Sequence, residues 1–333
     1  MIRRLSIAFL LLAMASVASA QTKLTGAGAT FPYPIYSKWF SEYHNAHSDV
    51  EINYQSIGSG GGIRQVLAGT VDFGASDGPM TDEQLGQSKT KIYHIPTVLG
   101  SDVPAYNVPG VSDIKFSPAT LAGIFLGRIT NWNDGAIAKD NPGAKLPNTS
   151  IVVVHRSDGS GTTYCWTDYL SKVSPDWNSS VGKGTSVKWP VGLGAKGNEG
   201  VAGMIRQMEG SIGYVELIYA EQNKISYGAV KNAAGEFVKA SLASTTAAAA
   251  SAKVPPDYRV SITNAPGKDA YPIATFTWLL VPQKNADATK QKSLVDFLNW
   301  MVTDGQKMTE QLSYAPLPQV VAERVKKTID ELK

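Results

Sequence analysis

The chain has 333 residues, with 31 Lys and Arg against 28 Asp and Glu for a formal charge of +3, and 43% hydrophobic content. A charge this close to balance indicates neither a nucleic-acid partner nor an anionic membrane surface, and the apolar content excludes a disordered chain. Cys165 is the single cysteine, so no internal disulfide forms and hydrophobic cores must hold the fold.

The N-terminus carries Arg3 and Arg4, an apolar run from Leu5 to Ala15, and the ending Ala18-Ser19-Ala20. That is the pattern of a secretory signal peptide over 1–20, cleaved after Ala20. The run is shorter than the roughly 18 to 20 residues of a membrane span, and no later segment is long and uncharged enough to be one. No cysteine follows the cleavage site to carry a lipid, so the expected location is the bacterial periplasm. Losing Arg3 and Arg4 leaves 29 basic (31 less 2) against 28 acidic side chains in the mature chain, which is expected to be a monomer.

From Leu24 to Asp77 strand-like and helix-like runs alternate, the signature of βαβ units and a mainly parallel sheet. Tyr36, Trp39, Phe40 and Tyr43 recur at helical spacing, as do Ile63, Val66 and Leu67; Val50, Ile52 and Tyr54 alternate as a strand, and so do Val71, Phe73 and Ala75. Ile95 to Val98 and Phe276 to Val281 read as strands bracketing the middle of the chain. Ile151 to Val154 is a β-branched run of the kind buried in a parallel sheet, followed by a helix carrying Trp166, Tyr169, Leu170 and Val173. Ala243 to Ala252, with Pro255-Pro256 after it, reads as a surface excursion of a second lobe. Helices are expected over 291–303 and 320–332. The plan is an α/β protein with a discontinuous first lobe (21–100 and 270–333), an inserted second lobe (101–269) and two crossover connections.

Three segments share one device: Thr25-Gly26-Ala27-Gly28-Ala29-Thr30-Phe31, Gly58-Ser59-Gly60-Gly61-Gly62, and Gly159-Ser160-Gly161-Thr162-Thr163. Each places hydroxyls and glycines just ahead of a helix, where first-turn amides lack internal partners and the helix dipole is positive. Such ends bind small oxyanions. Taken singly, each segment is equally read as a helix cap plus a turn.

Two charges sharpen the reading. Arg156 ends the buried strand ahead of the third segment, where its planar fork can hold two oxygens of a tetrahedral anion; the alternative is a salt bridge at the lobe surface. Asp77 closes another strand, and a carboxylate facing an anion makes sense only if the ligand carries a proton to donate. Hydrogen phosphate does; sulfate at neutral pH does not. The alternative for Asp77 is a turn or cap within Ser76-Asp77-Gly78-Pro79.

The runs TGAGATFPYPIY (25–36), IGSGGGIRQ (57–65), VDFGASDGP (71–79) and RSDGSGT (156–162), with KWPVGLG (188–194), GYVE (213–216) and DAYPI (269–273), resemble the periplasmic phosphate-binding proteins of bacterial high-affinity phosphate ABC importers over nearly all of the mature chain. The resemblance implies a type II periplasmic binding protein fold whose two α/β lobes close on one dehydrated phosphate, with no metal or other cofactor. It carries the ligand contacts to Thr30, Phe31, Ser59, Asp77, Arg156, Ser160, Gly161 and Thr162, with Asp158 pairing the arginine and tempering its charge. The implied partner is a membrane permease in a separate complex, since no G-x-x-x-x-G-K-[ST] motif is present for ATP. The chain departs from the family at Gly60, where a second serine is expected, and at Gly100-Ser101-Asp102-Val103-Pro104, a more polar crossing than the family's apolar run.

Other function classes find weaker support. Gly192-x-Gly194-x-x-Gly197, with Glu216 downstream, is formally a dinucleotide fingerprint, but Trp189-Pro190 stands where a long buried strand belongs. Ser160 lacks the G-x-S-x-G frame of a serine hydrolase, and His155 lies on the adjoining strand rather than in a base position. His44 and His47 sit three apart on a wet helix face rather than as a metal pair. The alternatives carried forward are a binder of another tetrahedral oxyanion, sulfate-like, and a phosphate-ester hydrolase.

Overall fold

The computed structural model describes residues 21–332. The signal peptide read over 1–20 lies outside the described residues. Alternating apolar positions build β1 (Thr22–Gly28), β2 (Val50–Ser56) and β3 (Phe73–Ser76), which run parallel and are linked by α1 (Tyr33–Ala46) and α2 (Ser59–Ala68). A short helix, α3 (Asp82–Gly86), closed by a capping box between Thr81 and Gln84, leads into β4 (Ile92–Asn107), a strand of 16 residues. Then come β5 (Lys115–Phe116), α4 (Pro118–Phe125), α5 (Gly135–Asp140), β6 (Val152–Arg156), α6 (Gly161–Val173), α7 (Pro175–Ser180), β7 (Leu193–Ala195), α8 (Gly197–Gln207), β8 (Ser211–Glu216) and α9 (Leu217–Gln222). The chain continues through β9 (Ser226–Tyr227), β10 (Ala229–Lys231), β11 (Phe237–Val238) and α10 (Leu242–Ala250), and returns by β12 (Ala274–Pro282), α11 (Ala288–Met301) and α12 (Gln319–Asp330).

The main sheet runs in the order β2-β1-β3-β12-β4-β8-β6-β7. Its two ends are the parallel blocks that the βαβ pattern predicts, but its middle is antiparallel: β12 opposes both β3 and β4, and β4 opposes β8. β4 is the shared strand. Its residues pair with β12 up to Ser101, opposite Ala274, and with β8 from Asp102, opposite Glu216. The return connection lies beside this handover, where Asp102 N donates to Ile273 O (2.9 Å) and the Tyr271 hydroxyl donates to Asp102 O (2.9 Å).

Each half of the sheet has its own aromatic core. In the first, Phe40 packs on Phe297 (centroids 5.5 Å apart) and Tyr43 on Trp300 (5.4 Å), so α1 and α11 cover one face. In the second, Trp166 stacks on Tyr214 at 5.1 Å and Trp189 on Tyr214 at 5.6 Å. Cys165 is buried in α6 with no partner cysteine, as expected of a core thiol.

The alanine-rich stretch is a surface helix packed by one face, with Ala243, Thr246 and Ala250 exposed. It forms α10, whose Ser244, Thr245, Ala248 and Ala249 are buried, and the prolines that follow pack on the first lobe: Arg324 donates to Val254 O and Pro255 O, and Trp278 Nε1 donates to Tyr258 O. A few residues on, Ser261 and Thr263 donate to Asp168 in α6, so residues 254–263 strap the two halves together. Alanine has no polar group that prefers water, so an alanine-rich helix is as easily buried as exposed.

Glycines set how closely α2 approaches the sheet. A Cβ on Gly62 would lie 2.6 Å from Ala27 O and Gly28 Cα, whereas one on Gly203, inside α8, meets nothing within 4 Å. Gly62→Ala is therefore expected to lower stability by about 1–3 kcal/mol through overpacking, and Gly203→Ala to raise it by about 0.5–1 kcal/mol by restricting the unfolded chain. Denaturant melts of the two variants check the opposite signs.

Candidate oxyanion-binding site

The carboxyl ends of β1, β2, β3 and β6 lie around one point between the lobes, and α1, α2 and α6, which follow β1, β2 and β6, start there. All the candidate side chains arrive buried: Thr30 is 2% exposed, Asp77 1%, Arg156 3%, and Phe31, Ser59, Ser160 and Thr162 are 0%. The two lobes are in contact across this point. Gly60 N donates to Gly159 O (2.9 Å), Gly161 N to Ser59 Oγ (2.9 Å), and the Tyr219 hydroxyl to Thr30 O (2.5 Å). The cleft is closed.

Arg156 is not a surface salt bridge. Its Nε and Nη2 donate to the two oxygens of Asp158 at 2.8 and 2.6 Å, a bidentate pair that uses one edge of the guanidinium. Nη1 donates to Thr162 Oγ1 at 3.2 Å, so the opposite edge faces the site. Asp158, held by Arg156 and by Gly197 N (3.1 Å), stays below the usual carboxylate range despite its burial.

Asp77 has the opposite fate. Burial pushes its carboxyl up to about 7, although a hydrogen bond donated by Thr277 Oγ1 (2.8 Å to Oδ1) and the Arg156 charge both pull it down. Its Oδ2 lies close to α6, 2.5 Å from where a Cβ on Gly161 would stand, so only glycine lets helix and carboxyl meet. Asp77 is neither a turn residue facing solvent nor a helix cap. It is a titratable acid inside a ring of donors.

The helix starts divide. α6 is capped from within by Ser160, whose Oγ accepts from Thr163 N, and Ser160 N is used by Thr185 O; this is the capping alternative realised. α1 and α2 begin at Pro32 and Gly58 without a side-chain cap, although Tyr33 N is taken by Thr30 O, Gly60 N by Gly159 O, and Pro34 has no N–H to offer. Ser59 Oγ accepts from both Asp77 N (3.3 Å) and Gly161 N (2.9 Å), which leaves its proton to donate. Hydrogen bonds or direct contacts thus link Thr30, Ser59, Asp77, Arg156, Asp158, Gly161 and Thr162 in one cluster, with Phe31 and Ser160 adjacent in sequence.

Three polar groups at the site have no counterpart in the sequence reading. Asn198, 0% exposed in the first turn of α8, donates to Thr30 and Thr162. Thr277 holds Asp77 from β12, and Tyr214 accepts from Arg156 N (3.1 Å). The signal for Asn198 was present: Gly192 to Gly200 is a fourth glycine-rich helix start. As a dinucleotide fingerprint it fails, because β7 falls inside the motif rather than before it. His155 stacks on Trp189 (4.8 Å), His44 Nδ1 lies 2.7 Å from Val50 O, and no cluster of His, Cys, Asp and Glu among the described residues could hold a metal ion.

Comparison with known proteins shows the family. A family model, the PBP superfamily domain, matches residues 14–305. A phosphate-binding protein PstS of Xylella fastidiosa (strain Temecula1) is 49% identical over 300 residues, 89% of this chain and 82% of that protein. One from Pasteurella multocida is 46% identical over 327 residues, 97% of this chain and 94% of that protein. The chain belongs to the PstS family of phosphate-binding proteins. A solved structure of a high-affinity periplasmic phosphate-binding protein bound with phosphate at pH 8.5 shares the fold, with a TM-score of 0.75 at 23% identity over 92% of this chain and 93% of that one.

Both departures from the family pattern have structural accounts. At Gly60 a Cβ would stand 3.1 Å from Gly159 Cα, so glycine lets the two lobes' loops touch where a serine would hold them apart. At the crossing, Asp102 is wholly buried beside the Cys165 thiol and lies opposite Glu216, which is also wholly buried. Burial pushes both carboxyls well above their ordinary range, which favours their uncharged forms at the handover.

The raised value of Asp77 fixes a sign. A carboxyl that holds its proton more tightly when folded contributes stability below its unfolded value of 3.8 and loses it as the pH climbs through about 7. In phosphate-free protein the melting temperature of Asp77→Asn relative to wild type is expected to rise between pH 5 and pH 8, and scanning calorimetry at three pH values tests it.

Proposed function

We propose that this protein captures inorganic phosphate between its lobes and delivers it to the membrane permease of an ABC importer, performing no chemistry on it. The observation that carries the reading is Asp77: one acid, poised near neutrality, in a cradle whose other groups donate. The proposed ligand contacts are Thr30, Phe31, Ser59, Asp77, Arg156, Ser160, Gly161 and Thr162, with Asp158 in support. The names of the PstS relatives support the ligand and the transport role, and the reading places the mature chain, from Gln21, in the periplasm.

Hydrogen phosphate brings one dissociable proton to the Asp77 contact, so an ionised Asp77 is satisfied by it. Sulfate brings none and leaves an ionised Asp77 as a buried acceptor without a donor, which costs about 1–3 kcal/mol or more. Sulfate is tolerated only when Asp77 is itself protonated. Discrimination therefore strengthens as the pH rises through about 7 and relaxes below it. A hydrolase is disfavoured, because His155, the histidine beside the site loop, lies against Trp189 with its Nδ1 at Arg156 O, and Ser160 Oγ is engaged as the cap of α6, accepting from Thr163 N.

Isothermal titration of the ligand-stripped mature chain tests this. Phosphate is expected to bind one to one, sulfate competition to appear only at acidic pH, and Asp77→Asn to flatten that pH dependence; equal binding of both anions at pH 8 by the wild type would remove the mechanism. Arg156→Ala should weaken phosphate binding by about 2–5 kcal/mol, the cost of losing one partner of a buried charge pair.

A further inference from the structure

We infer that Asn198 sets the hydrogen-bond polarity of the binding site, by filling the lone pairs of the Thr30 and Thr162 hydroxyls so that each has only its proton left to offer. The inference rests on the phosphate reading above and names a positioning residue for it.

The argument is a count of donors and acceptors. A hydroxyl has one proton and two lone pairs, and a neutral amide has two protons on nitrogen and an oxygen that only accepts. Thr30 Oγ1 accepts from Asn198 N (3.1 Å) and from Asn198 Nδ2 (2.9 Å). Thr162 Oγ1 accepts from Asn198 Nδ2 (3.1 Å) and from Arg156 Nη1 (3.2 Å). Both oxygens are filled: the Asn198 side-chain amide gives one proton to the hydroxyl of each lobe, and Asn198 N and Arg156 Nη1 supply the second donor to each. Its orientation is fixed by chemistry, since Asn198 Oδ1 accepts from Glu216 N at 2.9 Å and a backbone N–H can only donate. Asn198 is fully buried, so water supplies no substitute.

Two threonines whose protons have no acceptor among the described residues are matched to a ligand rich in acceptor oxygens. The same amide bridges a first-lobe and a second-lobe hydroxyl, so this alignment exists only when the lobes have closed. Ser59, filled by Asp77 N and Gly161 N, follows the same rule without Asn198 and shows that the pattern extends beyond one residue.

The test reads phosphate affinity in the full mature chain by isothermal titration, for wild type, Asn198→Ala, Thr162→Val and the double variant, with Asn198→Asp as an isosteric check that keeps the acceptor for Glu216 N. Asn198→Ala is expected to weaken phosphate by roughly 10-fold and Asn198→Asp, which turns the hydroxyl protons away from the ligand and adds charge, by roughly 100-fold or more. In the Thr162→Val background the Asn198→Ala loss should shrink, because the hydroxyl it acts through is gone; additive losses would overturn the inference. A neutron structure of the wild-type phosphate complex needs no variant: hydroxyl deuterons of Thr30 and Thr162 directed at phosphate support the proposal, and deuterons directed at Asn198 refute it. Wild-type protein that binds no phosphate defeats the functional reading itself, and this inference with it.

Discussion

A guanidinium with 3% of its surface exposed, trapped between two lobes, dictates what can surround it. An unpaired buried cation is costly, so Arg156 needs a compensating charge. Asp158 supplies one full negative charge along one edge, and Asp77, close enough to feel Arg156 but pushed up by burial, supplies a charge that comes and goes near neutral pH. The site is therefore close to electrically balanced before any ligand arrives. An anion entering it is held by directed donors rather than by an excess of positive charge, which is the condition under which hydrogen-bond count decides selectivity.

That condition makes the orientation of each hydroxyl matter. Ser59, Thr30 and Thr162 each receive two N–H groups, and in each case at least one comes from the other lobe or from a residue that touches both. For Thr30 and Ser59 the donors reach across from the second lobe, whereas both donors to Thr162 lie within its own lobe. β4 ties the lobes together mechanically, because a single strand belongs to both halves of the sheet and changes partner between Ser101 and Asp102. The strap at residues 254–263 adds a noncovalent tie, centred on Asp168, whose carboxyl is held down to about 2 by Lys183, Ser261, Thr263 and Lys172 despite its burial.

Periodic segments were legible in the sequence. The spacing of Tyr36, Trp39, Phe40 and Tyr43 returns as the buried face of α1, and the β-branched run at 151–154 as β6. β4 was seen only in part, over 95–98, because Ser101 and Asp102 break the apolar pattern where the strand changes partner. The antiparallel middle of the sheet was not legible, since pairing direction depends on which distant strands meet. The buried face of α10 was missed because an alanine-rich helix carries almost no amphipathic signal.

The sequence by itself determined the glycine-rich loops of the candidate site and the charges at its strand ends, because glycines and hydroxyls before a helix, and Arg or Asp after a buried strand, act through local backbone geometry that few alternative folds can change. It did not determine which side chains would close over those loops. Asn198, Thr277 and Tyr214 reach the site from helices and strands 36 to 200 residues away from the groups they serve, as the pairs Asn198 with Thr162, Tyr214 with Arg156 and Thr277 with Asp77 show. The raised pKa of Asp77 belongs to the same class, since it follows from removal of the carboxyl from water by the packing around it.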